Sequence, residues 1–475
     1  MLFSHKNCKI RGYIPIREDI IIKRNFSAPQ IVVFSFAALI LIGAILLTLP
    51  ISSVSGESLN FLDALFTATS AVCVTGLVVM QTASSWTLFG KLVILILIQI
   101  GALGMLTFMM LGLKLLKQRV SLRTNLVIGT QFNQTHPGGM RELVSHIVRV
   151  TFIIEALGAI LLASGFFFSG FTDLPHAIFY GIFHSISAFC NAGFDLIGGN
   201  SLTPLANNLF ISTTISLLII SGSLGFPVWA ELIKLYKTPT LSIKTRLRRL
   251  TLHSKLVITT TFALLFLGMF AFLLFEFNNP LTLQNMPFSE KLSSAWFQSV
   301  TLRTAGFNTI SQAGLRDVSK IFSCMLMLIG GSPAGTAGGL KTVTVAVLAA
   351  AVISAIKGEK IISSYHRTLP LYTLQKALTV IFTMTLVVAF STTALTFTEV
   401  GVDYIDLLFE VCSAAGTVGV TTGITSDLSV LGKLIIMGCM FIGRLSPVTL
   451  AVALNIKSKS FVGGKKFADG YVIIG

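Results

Sequence analysis

Four short stretches, Cys73-Val74-Thr75-Gly76-Leu77, Cys190-Asn191-Ala192-Gly193-Phe194, Arg303-Thr304-Ala305-Gly306-Phe307 and Gly416-Thr417-Val418-Gly419-Val420, each close an apolar, Ser/Thr-rich segment and precede a long hydrophobic run. Their glycines stand 117, 113 and 113 residues apart, with an aromatic residue (Phe66, Phe183, Trp296, Phe409) ten positions before each. An interval this regular is the mark of an internal repeat. The chain therefore reads as four copies of one pore-forming unit.

Composition fixes the solvent of the fold. Hydrophobic residues make up 53% of the chain, charged ones 11%, and the mean hydropathy is +0.84, which indicates a polytopic membrane protein. Apolar runs long enough to span occur near residues 31–50, 88–113, 150–170, 208–235, 256–277, 321–356, 377–398 and 432–453, two per repeat. Between the members of each pair lies a shorter, weakly amphipathic stretch ending at the repeat glycine, too short to cross and best suited to a re-entrant half-helix. The expected fold is an all-α integral membrane protein. It has four tandem helix–pore helix–helix repeats in parallel orientation around a pseudo-fourfold pore, with eight transmembrane helices and four re-entrant half-helices. Two full spans per repeat return the chain to its starting side, so the copies share one orientation, unlike inverted-repeat transporters. The expected organisation is an N-terminal segment 1–30, pore repeats 31–117, 150–237, 256–356 and 377–455, and a tail 456–475.

Lys and Arg crowd into the N-terminus, the segments between repeats and the C-terminal tail, and are sparse in the segments holding the half-helices. By the positive-inside rule both termini and the inter-repeat loops are cytoplasmic. The formal charge of +16 is thus mainly a topology signal, and no nucleic-acid partner is expected. On the opposite side Glu57, Asp63, Asp173, Asp195, Glu276, Glu290, Asp317, Glu399, Asp403, Asp406, Glu410 and Asp427 would form an acidic vestibule that concentrates cations. The six cysteines form no CxxC pair and read as small core residues, so no transition-metal site is expected. The basic N-terminus runs into a full-length span without a small-residue cleavage site, so no cleavable leader is expected.

A cation pore needs carbonyl oxygens that replace the ion's water, and adjacent carbonyls face the same way only where some residues take left-handed backbone angles, which glycine does without a Cβ clash. The candidate selectivity filter is Val74, Thr75 and Gly76; Asn191, Ala192 and Gly193; Thr304, Ala305 and Gly306; Thr417, Val418 and Gly419, with K⁺ at its carbonyls. One such tripeptide would mean nothing; four in register, each between a short apolar helix and a full span, carry the assignment. Ser70, His184, Ser185, Ser187, Ser299, Thr301 and Ser413 are expected to tie the filter backbone by hydrogen bonds.

The second span of each repeat carries a small-residue motif: Gly101-Ala102-Leu103-Gly104, Gly222-Ser223-Leu224-Gly225, Gly331-Ser332-Pro333-Ala334 and Gly443-Arg444-Leu445-Ser446. Small residues there let inner helices approach or kink. The third copy departs most, because residues 330–342, GGSPAGTAGGLKT, interrupt what would be one helix. Irregular backbone at membrane depth is tolerated only in protein or beside water, so this segment is either a helix break or a plug. The gate candidates are Gly330, Gly331, Ser332, Pro333, Gly335, Thr336, Gly338, Gly339, Lys341 and Arg444. Arg444, mid-helix, must face the bundle interior, either holding the loop through carbonyl hydrogen bonds or pairing with a carboxylate such as Glu155.

On these motifs the chain resembles the Ktr/Trk/HKT potassium transporter superfamily, specifically its KtrB type, over roughly residues 30–475. The short segment before the first span, which leaves no room for the extra helix pair of TrkH, and the terminal Gly470-Tyr471-Val472-Ile473-Ile474-Gly475 favour that type. The resemblance implies a K⁺-translocating membrane subunit of a bacterial uptake system in the plasma membrane. It identifies residues 330–342 with the family's intramembrane gating loop. An all-glycine filter in this family goes with K⁺ preference, while serine in the first filter goes with Na⁺-permeable plant members. Na⁺ is left as an activator or co-ion, and a sodium-translocating subunit of the same fold is the alternative. The resemblance further implies a homodimer in membrane lipids, each protomer with its own pore, and a cytoplasmic ring of RCK-type nucleotide-binding subunits. Segments 114–149, 234–255 and 357–376 and the tail are its docking surface. No covalent cofactor is implied.

An enzyme is not expected: HExxH is absent, and no Ser/His or paired-Asp arrangement stands out. Gly335–Thr342 approaches a phosphate-binding loop, but Leu340 occupies the second glycine position and no strand precedes it.

Overall fold

The computed structural model describes residues 28–104, 140–198, 201–236, 242, 245, 248–359 and 361–454. The N-terminal segment before residue 28, most of the basic segment 114–149, part of 234–255 and the tail 456–475 lie outside the described residues.

Each repeat opens with a long helix: α1 (Ala28–Thr48), α4 (Met140–Phe168), α8 (Leu252–Glu276) and α12 (Leu371–Thr398). Among the described residues these four are long and apolar enough to cross a membrane as straight helices. A pore helix follows in each: α2 (Phe61–Cys73), α5 (Leu174–Cys190), α9 (Phe288–Thr301) and α13 (Tyr404–Gly416). At 13 to 17 residues and about 1.5 Å per residue they are too short to cross a hydrocarbon core of about 30 Å.

The inner helices are shorter than the apolar runs of the sequence, and not only in the third copy, where an interruption is expected. They are α3 (Leu88–Leu103), α6 (Leu209–Ser223), α10 (Asp317–Leu328) and α14 (Val430–Leu445). Each stops below the filter, and α6 is followed by α7 (Phe226–Tyr236) after a 101° bend. In the third copy residues 329–341 intervene before α11 (Thr342–Ile356); in the fourth, α15 (Pro447–Leu454) follows a single residue. Gly104, Gly225 and Ser446 carry φ of 82°, 86° and 71° at these stops, a backbone hand that a right-handed helix does not continue. Among the described residues, then, the inner helix stops at this level in every repeat, not only in the third. A short antiparallel hairpin, Ser363–Ser364 with Arg367–Thr368, lies between α11 and α12.

Why the inner helices start where they do is visible in their caps. Thr87, Asn208 and Ser429 accept hydrogen bonds from the N–H groups of Gly90, Ile211 and Gly432, satisfying first-turn donors that have no helical partner. The third copy begins at Arg316 without such a side chain, and Glu276 at the end of α8 accepts from Arg316 N at 3.1 Å and from Ser319 Oγ instead. Glu399, which follows α12, similarly accepts from Ser429 N and Oγ.

Neighbouring repeats are joined by two ion pairs in the same register. Lys320 Nζ meets Asp406 Oδ1 at 2.7 Å and Lys433 Nζ meets Asp63 Oδ1 at 2.8 Å. In each, the fourth residue of one inner helix reaches the pore helix of the next repeat, and the second pair closes repeat 4 onto repeat 1.

Candidate ion pathway

The four glycine segments form a closed ring. A Cβ built on Gly76 would lie 2.6 Å from Ala192 O, one on Gly193 2.8 Å from Ala305 O, and one on Gly306 2.8 Å from Val418 O. On Gly419 it would collide with Thr75 O. Each glycine thus abuts the carbonyl preceding the glycine of the next repeat, in the order 1, 2, 3, 4 and back to 1. The glycines also carry φ of 101°, 70°, 84° and 95°, so both space and backbone hand forbid a side chain.

Two positions earlier, Val74, Asn191, Thr304 and Thr417 are left-handed as well, with φ of 57°, 61°, 71° and 53°. The residue between, Thr75, Ala192, Ala305 or Val418, has no positive φ. Alternating hand turns successive carbonyls to the same side of the chain, as a ring of cation ligands requires. Left-handed Val and Thr are unfavourable because they are β-branched, a local strain of the kind held at functional sites by surrounding structure.

That holding structure is built from the pore helices. Ser70 Oγ and Ser413 Oγ accept from Gly76 N and Gly419 N at 3.0 and 3.1 Å. Ser187 Oγ and Thr301 Oγ1 donate to Phe194 O and Phe307 O at 2.7 and 2.6 Å. His184 Nε2 accepts from Leu196 N at 3.3 Å. These carry out the tying role expected of them. Ser185 and Ser299 do otherwise: they donate to Glu155 O and Leu265 O, pinning the pore helix to the long helix of its repeat, where Gly158 and Gly268 leave room for the hydroxyls.

The third repeat is one residue shorter here. Its anchor Thr301 stands five residues before the glycine instead of six, and the fully buried aromatic is Phe297, with Trp296 only half-buried. The side chains of Thr75 and Thr417 are buried, and their Oγ1 atoms have no hydrogen-bond partner among the described residues.

Beneath the ring, Gly101, Gly222 and Gly443 of the inner helices press against Val72 O, Phe189 O and Ala415 O, each four residues before the filter glycine of its own repeat, with no space for a Cβ. Residues 330–342 lie in the region these three define. The loop is closed at its neck by Leu340 N to Leu328 O and Thr342 N to Gly331 O, both 3.0 Å, and by Ser332 Oγ with Thr342 Oγ1 at 3.1 Å.

Its main chain pairs with the broken end of α6. Ser332 N donates to Ser223 O at 2.8 Å, Thr336 N to Gly222 O at 3.2 Å, and Phe226 N to Ala334 O at 3.0 Å. Thr336 Oγ1 donates to Phe189 O under the second filter at 3.1 Å, and Gly338 faces the side chain of Thr417 under the fourth. Pro333 O fits against Gly225, Gly335 against the carbonyls of α6, and Gly339 against Gly416 O. Lys341 Nζ bonds within the loop, to Ala337 O at 2.7 Å.

Arg444 joins the loop to two further repeats. Nη1 donates to Thr336 O, and Nη2 to Gly101 O and Ala102 O at 2.6 and 2.9 Å. The last two are carbonyls at the end of α3, where a helix leaves acceptors unpaired and a cation is favoured. The ion pair with Glu155 that the sequence left open does not form. Glu155 is buried and instead accepts from Gln99 Nε2 at 3.0 Å.

The acidic vestibule expected from the sequence is reduced. Glu276, Glu399 and Glu410 are buried and bonded to helix starts or to Thr421 and Thr425, and Asp63 and Asp406 are paired with lysines. Cys73, Cys190, Cys324, Cys412 and Cys439 are buried free thiols.

A family profile described as "TrkH: Cation transport protein" matches residues 18–463. The chain belongs to this family. It is 37% identical to the potassium/sodium uptake protein NtpJ of Enterococcus hirae, over 96% of this chain and 98% of that one. It is 36% identical to the Ktr system potassium uptake protein B of Bacillus subtilis, over 97% of this chain and all of the other (100%). Its fold superimposes on the crystal structure of the potassium transporter TrkH from Vibrio parahaemolyticus with a TM-score of 0.71 at 17% identity, covering 92% of this chain and 86% of that one. This TrkH-family chain is therefore a multi-pass membrane protein of the TrkH fold.

Proposed function

We propose that this chain is the K⁺-translocating membrane subunit of a bacterial uptake system, conducting through the ring of Gly76, Gly193, Gly306 and Gly419 and closed by the loop 330–342. The observation that carries this is the cyclic contact in which each glycine meets the carbonyl before the next. Four glycine-bearing segments with alternating backbone hand offer an ion carbonyl oxygens from all sides, which compensates the loss of its water. The names of the two full-length relatives support potassium as the cargo.

In this reading a K⁺ ion enters from the side of the pore-helix starts, passes the ring and meets the loop. The loop, itself part of the third repeat, bonds to the second through Phe189 O and to the fourth through Arg444, and Arg444 alone carries the connection on to the end of α3 in the first, so its displacement must break the bonds to Phe189 and Arg444. A change of this kind requires something that binds the two states differently. We assign that role to a separate cytoplasmic nucleotide-binding ring of RCK type. The membrane chain itself is taken as a homodimer in the bacterial plasma membrane, with both termini cytoplasmic and Na⁺ as an activator or co-ion.

Uptake of ⁸⁶Rb⁺ and of ²²Na⁺ by a potassium-uptake-deficient bacterium expressing the chain tests the cargo. Rb⁺ uptake competed by K⁺ and not by equal Na⁺ supports K⁺ transport. Preferential ²²Na⁺ uptake would establish the sodium-translocating alternative instead.

A further inference from the structure

Arg303 stands immediately before the left-handed Thr304 of the third filter, where the other repeats have Cys73, Cys190 and Gly416. It is 2% exposed. Its Nη2 donates to Gly330 O at 3.2 Å, and its Nε is buried with no partner among the described residues. No carboxylate lies within ion-pair distance of it among those residues. Gly330 is the first residue of the loop, and a Cβ on it would stand 3.2 Å from Thr304 Cγ2. The loop neck therefore packs directly on the third filter segment. That segment is tied in turn to the second, because the Asn191 amide meets Thr304 Oγ1 at 3.3 Å whichever way round its oxygen and nitrogen lie.

A guanidinium held in a water-poor interior is costly unless its donors are engaged. The hydrogen-bond acceptor of Arg303 is a carbonyl of the segment that must move when the path opens. Movement of the loop neck removes that acceptor, and the freed charge has to find other oxygen, the nearest chain being the third filter itself.

We propose that Arg303 is a positioning residue that couples the loop to the filter, so that one contact both holds the loop closed and keeps the third filter segment in its selective geometry. This deepens the reading of residues 330–342 as a gate and rests on it. Arg444, which bonds the middle of the loop and the end of α3, acts on closure alone.

The test uses the full chain reconstituted in liposomes, measuring ⁸⁶Rb⁺ and ²²Na⁺ flux for the parent, R303Q, R303M, R303K, R444Q and a chain shortened within 334–338. In the neutral Arg303 variants basal Rb⁺ flux should rise and the Rb⁺/Na⁺ ratio should fall together, each at least threefold. Arg303→Lys, which keeps the charge and a donor, should return both to within twofold of the parent. R444Q should raise flux with the ratio unchanged. In the shortened chain the contact is already disturbed, so adding R303Q should change the ratio less than it does in the parent.

Either neutral variant recovered in the membrane decides the matter. A changed flux with a parental ratio, a changed ratio with parental flux, no change in either, or failure of lysine to rescue overturns the coupling. If the shortened chain conducts no more than the parent, it is the gate assignment that falls; if it conducts more while the Arg303 variants behave as the parent, only the coupling does.

Discussion

Replacing each filter glycine by alanine should damage transport in an order set by the ring geometry. Two effects add. An L residue forced into left-handed backbone loses roughly 1–2 kcal/mol, and the new Cβ must displace a carbonyl of the next repeat. Gly419 and Gly76 are the most hindered, with φ of 95° and 101° and a Cβ that would overlap Thr75 O or lie 2.6 Å from Ala192 O. Gly193, at φ 70° and 2.8 Å from Ala305 O, is the least. The backbone term alone lowers the share of filters in the conducting geometry about 5–30-fold. The initial rate of ⁸⁶Rb⁺ uptake per inserted molecule should therefore fall at least about 5-fold in G193A, and further in G76A and G419A. Selectivity over Na⁺ should fall in the same order. Four inserted variants with parental rates, or G193A the worst and G419A harmless, would refute the ring as the conducting element.

Replacing Arg444 by Met removes its bonds to Thr336 O, Gly101 O and Ala102 O; basal Rb⁺ flux in liposomes should rise several-fold, and an unchanged or lower flux would count against its role in closure. The inter-repeat pair Lys433–Asp63, whose side chains are 15% and 22% exposed, should show a coupling of ~1–3 kcal/mol in a double-mutant cycle by thermal unfolding in detergent, between the values of exposed and buried pairs. A coupling near zero would mean that the pair does not close the ring. Gly268→Ala drives a Cβ into Ser299 Oγ and should destabilise the protein by ~1–3 kcal/mol; Ser299→Ala in the same chain should restore part of that loss, and no restoration would place the strain elsewhere.

The glycine ring was legible in the sequence because its glycines are needed twice over, for backbone hand and for space, and no other residue meets both needs. The left-handed residues two positions earlier were not, since Val74, Thr304 and Thr417 are types that avoid that conformation and hold it only within the surrounding structure, of which the side chains of Ser70, Thr301 and Ser413 are part. The shared break in the inner helices had signals in Pro227 and Pro447 beside Gly225 and Ser446, but only the glycine-rich third copy stood out from a hydrophobic background.

Charge was the least legible feature. Arg303 stands in a segment that the charge distribution puts on the outer side, yet its side chain is buried and bonds Gly330 O, while Glu276 and Glu399, expected as vestibule charges, satisfy helix starts. Spacing along a chain gives a charge its depth but not its partner. The lysine pairs could have been found by register, because Lys91, Lys320 and Lys433 all hold the fourth position of an inner helix. Lys320 and Lys433 find an aspartate in the next repeat; Lys91 bonds Ala83 O instead.

If four carbonyl-lined segments surround one cation path, anomalous diffraction from crystals of the chain grown in Rb⁺ will find the ion among them. Rb⁺ density is expected on the axis enclosed by Thr75, Ala192, Ala305 and Val418, lost on exchange into Na⁺ alone. Rb⁺ density elsewhere in the molecule with none inside the ring would contradict it.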